Sequence, residues 1–157
     1  MKIILLLLIP LFSFKAFTSN YEVEFFFTDD DRDTDVMKFT DLITLRQFKG
    51  KANWKDNKGG YGVVECMGNH TIFKNKKTLL KMYCKEVNKS NDNFVLMFDR
   101  DSENFNAGVG ESTYLDAVGK YSQYKNLKCI YAVNSFEGKG SIIKQKCKLD
   151  WWFTFYK

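Results

Sequence analysis

Four cysteines, Cys66, Cys84, Cys129 and Cys147, are separated by 18, 45 and 18 residues, and that symmetry constrains the fold more than any other feature of the chain. Laying residues 66–85 over 129–148 without a gap matches Cys66/Cys129, Phe73/Phe136, Lys76/Lys139, Lys81/Lys144, Cys84/Cys147 and Lys85/Lys148. Such a match arises from a duplication or from two similar hairpins, and both origins have the same physical content. Midway between each pair stand turn formers, Lys74-Asn75-Lys76-Lys77 and Glu137-Gly138-Lys139-Gly140. Asn and Gly tolerate the positive φ of hairpin turns. Beyond the second turn Lys144, Lys146 and Lys148 alternate with Ile143, Gln145, Cys147 and Leu149, which is the period of a half-buried strand. Leu127, Cys129, Tyr131 and Val133 share a face, as do Leu80, Met82 and Cys84, and Gly62, Val64 and Cys66. All four thiols fall on apolar faces. Folding each segment about its turn sets its two cysteines opposite one another, so the expected bridges are Cys66–Cys84 and Cys129–Cys147. The two other connectivities stay open if the hairpins are neighbours in a closed sheet. Each short loop closed in this way contributes about 3 kcal/mol.

Disulfides require an oxidising compartment, and the N-terminus supplies an address. Lys2 precedes an apolar run from Ile3 to Phe14 and then the small residues Ala16, Thr18 and Ser19. That run is too short to span a bilayer and suits a signal peptide. Residues 1–19 are therefore expected to be a leader with an uncertain cleavage point, and 20–157 a single domain, periplasmic or secreted. Zinc is the competing use of the cysteines. It lacks a C-x-x-C spacing here, and His70 is the only imidazole in the chain. Losing Lys2 and Lys15 with the leader takes the formal charge from +5 to about +3. Nucleic-acid binding calls for a more concentrated basic face, and none is expected.

The remaining segments also read as strands: Tyr21–Phe27, Leu42–Phe48 after an unclear stretch from Val36 that has room for a helical turn, Tyr61–Met67, Thr78–Val87, Phe94–Asp99, Val109–Val118, Leu127–Val133, Ser141–Leu149 and Trp151–Tyr156. Short strands at this spacing, with no long amphipathic helix, indicate an antiparallel sandwich or barrel. The aromatic end Trp151–Tyr156 would be a sticky edge, which favours closure onto an early strand. Two stretches carry a resemblance: Gly50-Lys51-Ala52-Asn53-Trp54-Lys55-Asp56-Asn57-Lys58-Gly59-Gly60-Tyr61-Gly62, and Ala107-Gly108-Val109-Gly110-Glu111-Ser112-Thr113 followed by Asp116-Ala117-Val118-Gly119-Lys120-Tyr121. Together they resemble a group of small exported bacterial proteins of uncharacterised function. The Gly-Lys-Tyr segment is similar to one in calycin-like barrels of the allene oxide cyclase and dirigent type. The resemblance covers roughly residues 50–149 and implies an all-β, antiparallel, eight-stranded calycin-like barrel. It carries no catalytic residue across.

Several clusters invite a chemical reading. His70 has no orienting carboxylate or nucleophile beside it in sequence, and reads as structural or exposed rather than as a general base. Asp29, Asp30, Asp31, Asp33 and Asp35 fail the spacing of a calcium loop, since Thr40, Leu42 and Thr44 fill the twelfth positions. Gly108-Val109-Gly110 lacks the following helix of a phosphate loop and reads as a glycine-shaped bend. Alternating Lys144, Lys146 and Lys148, with Lys81 and Lys85, read as a solvated outer face more than as a polymer site. Asn69-His70-Thr71 and Asn88-Lys89-Ser90 fit the glycosylation sequon and matter only in a eukaryotic host. No metal or cofactor is expected.

Glu111, Tyr114, Asp116, Tyr121 and Tyr131 are the candidate pocket residues. In an open-mouthed barrel they would form an aromatic cup for a hydrophobic or polyol ligand; in a closed one they fill the interior. The leading reading is a non-enzymatic ligand-binding or interaction module with no membrane span once the leader is removed. The rival is a barrel isomerase or lyase using Glu111 or Asp116 in an apolar pocket.

Overall fold

A computed structural model describes residues 19–87, 91–136 and 139–149, with the side chains of all but Ser19 and 29–33. The leader, the side chains of Asp29, Asp30, Asp31 and Asp33, the sequon at Asn88-Lys89-Ser90 and the segment Trp151–Tyr156 lie outside the described residues.

Eight strands follow one another: β1 (Ser19–Thr40), β2 (Ile43–Asp56), β3 (Tyr61–Phe73), β4 (Thr78–Glu86), β5 (Asn93–Ser102), β6 (Ala107–Val118), β7 (Lys128–Phe136) and β8 (Gly140–Leu149). A short 3-10 helix, Gly119–Tyr124, joins β6 to β7. Each strand pairs antiparallel with the next, and β8 returns to pair with β1 from Ser19↔Leu149 to Phe27↔Ser141, closing a barrel in strict sequence order. Closure thus comes from β8.

Of the three connectivities the expected one is formed, Cys66–Cys84 with Cα atoms 4.1 Å apart and Cys129–Cys147 at 4.3 Å. The residues stand directly opposite in the β3/β4 and β7/β8 ladders, and an offset of 63 residues carries one register onto the other. In an eight-stranded ring these hairpins are half a turn apart, so the bridges staple opposite walls. All four sulfurs face the core, and no described cysteine is free.

Period-two alternation sorts the walls. Inside stand Tyr21, Val23, Phe25 and Phe27 of β1, Phe94, Leu96 and Phe98 of β5, and Ile143, Gln145 and Cys147 of β8. Outside stand charges that pair across strands: Glu24 with Lys55 and Lys144, Glu22 with Lys146, Asp99 with Lys81 and Asp101 with Lys77. Lys144 and Lys146, expected to be solvated, are solvated and neutralised by β1.

One end of the barrel is plugged. Tyr124 of the 3-10 helix stacks on Tyr21 at 4.3 Å between ring centroids, and Tyr121 packs edge-on against Phe94 and Trp54. Asp56 ties the β2–β3 loop beneath them, accepting from the Lys58 and Gly60 amides and from the Tyr21 hydroxyl.

Two expectations are corrected. The stretch after Val36 holds no helical turn: β1 runs on to Thr40, because its residues 32–40 pair with β2 from Arg32↔Gly50 to Thr40↔Ile43. Beyond Phe27 β1 no longer pairs with β8 and is held by β2 alone, and Val36, Met37, Phe39 and Leu42 of this hairpin are exposed. Gly108 and Gly110 make no bend. They lie inside continuous β6, where a Cβ on Gly108 would stand 3.2 Å from Arg100 Cδ and one on Gly110 2.7 Å from the Tyr131 ring and against the Asp99 carbonyl. The glycines are clearance for two large inward side chains. Gly110→Ala is therefore expected to cost about 2–3 kcal/mol, since the contact includes backbone that cannot move aside. The check is a urea denaturation series in which Val109→Ala, on the exposed outer face, stays within about 0.5 kcal/mol of the wild type.

Candidate ligand-binding site

The opposite end is open. Four connections crowd there, the β1–β2, β3–β4 and β7–β8 turns and the β5–β6 loop, and between them lies a cavity of about 170 Å³. Phe27, Phe48, Leu80, Met82, Val133 and Ile143 form its apolar walls. Its polar groups are Arg46, His70, Arg100, Thr34, Ser135 and Ser141.

The barrel register brings the basic groups together. Arg46 pairs with His70, His70 with Leu80 and Leu80 with Arg100, so one row across β2, β3, β4 and β5 carries two guanidiniums and an imidazole facing inward. Phe105, in the β5–β6 loop, lies over the row. Its ring stacks on His70 at 4.4 Å, Arg46 sits 5.0 Å from its centroid, and its carbonyl accepts from Arg100 Nη2 at 2.9 Å. Asn104 stiffens this loop by accepting from the Asn106 and Ala107 amides.

Arg100 is only 3% exposed and His70 only 6%. Burial pushes the His70 pKa down to about 4, and the Arg100 and Arg46 charges push the same way, so the imidazole is neutral at pH 7. Arg100 Nη2 lies 3.4 Å from His70 Nε2, a long contact in which the neutral ring nitrogen accepts. Burial also lowers the Arg100 pKa, against the pull of the nearby Tyr131 phenol, yet a guanidinium stays charged at neutral pH. The Tyr131 hydroxyl is in turn raised to about 12, chiefly by burial.

Hydrogen-bond satisfaction is incomplete. Arg100 Nε and Nη1 and Arg46 Nε are buried without a partner. No carboxylate lines the cavity among the described residues. An uncompensated buried guanidinium is costly, because each lost hydrogen bond to a charged group forfeits more than a neutral one does.

The five candidate pocket residues separate. Tyr114 and Tyr121 belong to the plugged end, packed against Phe94. Tyr131 stands mid-barrel, edge-on to Phe98, with its phenol toward Arg100. Glu111 and Asp116 face outward, which corrects the expectation that a carboxylate sits in the cup. Glu111 follows the inward Gly110 and precedes the buried Ser112, so alternation turns it out. At Asp116 a bulge intervenes: Val95 pairs with Asp116 and Leu96 with Tyr114, leaving Leu115 as the extra residue and both Leu115 and Asp116 outside. Asp116 accepts from Lys125 Nζ at 2.8 Å, which holds its carboxyl below the usual range.

The sequence held a signal for the open-end cavity. Phe94, Leu96, Phe98 and Arg100 are one inward series at period two, ending in an arginine. Arginine occurs three times among 24 basic residues, and two of the three stand on this row.

Among the described residues no group of His, Cys, Asp and Glu is placed to hold a metal ion. Compared with protein-family models, curated proteins and solved structures, the chain matched none.

Proposed function

We propose that the protein is an exported, non-enzymatic binding barrel of calycin-like kind whose open end takes up a small ligand with an apolar body. The observation that carries this reading is the division of the interior: one end filled by tyrosines, the other left as a cavity of about 170 Å³ with convergent polar groups. An apolar cavity of about 150 Å³ already accommodates benzene, so the volume suits a single ring or a short branched chain.

Export is supported by two core-facing disulfides and by the leader pattern. No described helix is long and apolar enough to cross a membrane. The outer strand faces carry paired lysines and acids while the lumen is aromatic, the reverse of the pattern in lipid-embedded barrels. The isomerase or lyase reading loses its proposed carboxylates to the outer face. Binding is the reading the geometry favours.

Native mass spectrometry of freshly prepared protein, without detergent, is the test. A small-molecule adduct that disappears on denaturation is expected, with occupancy at least tenfold lower in Ser135→Phe, where the new ring fills the mouth. Equal occupancy in both proteins would place the ligand elsewhere and contradict the reading.

A further inference from the structure

We propose that the open cavity selects a small monocarboxylic acid of about the size of benzoate, its carboxylate held by Arg100 and Arg46 and its apolar body by Phe48, Leu80, Met82 and Ile143. This inference rests on the binding reading above and names the chemistry of its ligand.

The first support is the unmet hydrogen bonding. Arg100 is nine-tenths buried, lines the cavity, and uses Nη2 on the Phe105 carbonyl and on His70, which leaves Nε and Nη1 without a partner. The Nε and Nη edges of a guanidinium match the two oxygens of a carboxylate. Arg46, on the same row, has its own Nε buried and without a partner. The second support is charge. Two guanidiniums and no described carboxylate meet at one cavity, whereas lysines on the outer face, such as Lys55, Lys144 and Lys146, pair with glutamates. An anion entering the cavity supplies negative charge that the described lining lacks.

Room is provided on purpose for the arginine. Gly108 lies over the Arg100 side chain, where a Cβ would stand 3.2 Å from Cδ and 3.3 Å from Nη1. The remaining lining sets the ligand class. Apolar side chains dominate it, so a bare inorganic anion leaves them without contact, and the volume matches a single ring or a short branched chain. Neutral His70 accepts from Arg100 through Nε2 and adds no positive charge, so the two guanidiniums alone meet the anion.

Calorimetry on the wild-type chain with benzoate, benzamide and benzylamine tests the charge while holding the ring constant. Inorganic phosphate and acetate test the ring. Benzoate is expected to bind at least tenfold more tightly than benzamide and acetate, with benzylamine and phosphate weaker still. Arg100→Gln is expected to lower benzoate affinity tenfold or more and to leave benzamide unchanged. Arg46→Gln, at the cavity edge, provides a second variant with the same expected direction should Arg100→Gln fail to fold. Benzamide binding as tightly as benzoate overturns the carboxylate assignment and leaves the cavity reading intact. Acetate or phosphate matching benzoate overturns the apolar-bodied acid. Failure of both aromatic probes at millimolar concentration overturns this inference and the binding reading together.

Discussion

Opening both disulfides is expected to lower the unfolding free energy by about 6 kcal/mol, about 3 for each closed loop. A domain of this size has a total stability of about 5–15 kcal/mol, so the reduced chain is expected to be marginal or unfolded at 37 °C. The two bridges act on opposite walls and share no strand, so their effects should add. A variant lacking one bridge, Cys66→Ala with Cys84→Ala, is expected to stay folded with a lowered urea midpoint. The matching change at Cys129 and Cys147 should behave alike, since the two hairpins have the same register. All four sulfurs are buried, so reductant should act slowly on the native chain and quickly in mild denaturant. A urea midpoint unmoved by loss of both bridges would contradict this.

The second large effect is a loss of stability in acid. His70 titrates near 4 in the folded chain, below the ordinary value of 6.5. Its contribution to stability is therefore complete above pH 6.5 and disappears as the pH falls from 6.5 toward 4, where the unfolded chain binds a proton that the folded one refuses. The expected loss between pH 7 and pH 5 is about 2 kcal/mol. Carboxylates contribute their own acid dependence, so the comparison is between the wild type and His70→Asn. The variant is expected to lack this part of the slope. Parallel stability curves for the two proteins would show that the imidazole is not held neutral by burial and its two guanidinium neighbours.

How much of this was legible in the sequence differs from element to element. The cysteine hairpins were readable because two independent signals agreed: a turn centred between each pair, and a period-two pattern placing the sulfurs inward. Strand number and spacing reached an antiparallel sandwich or barrel, and the eight-stranded barrel came from the resemblance alone. The length of β1 was not readable, because its second half is held by pairing with β2 and not by an apolar face of its own. Asp116 was misplaced because a single extra residue, Leu115, reverses the facing of everything beyond it, and no local composition marks that bulge. Glu111 needed only the alternation from Ser112 and Tyr114 to be set outside.

The open end was missed for a different reason. Arg46, His70 and Arg100 come from three strands, and only the register of four neighbouring strands reveals them as a row. His70 read as structural or exposed because its sequence neighbours offer no catalytic partner. The structure buries it, with partners that are cationic and aromatic. A burial pattern that ends in an arginine, as Phe94, Leu96, Phe98 and Arg100 do, is the kind of local conflict that marks a functional position in an otherwise consistent strand.

Because the chain contains a single histidine, its imidazole Hε1 gives one nuclear magnetic resonance signal, and that signal reports directly on the open end. Following it from pH 3 to pH 8, without and with saturating benzoate, is the most direct test that a buried basic row awaits an anion. A midpoint near 4 in the free protein, moving upward when the carboxylate arrives, is the expected result. A midpoint near the ordinary 6.5, unmoved by benzoate, would contradict both the burial of His70 and the site built around it.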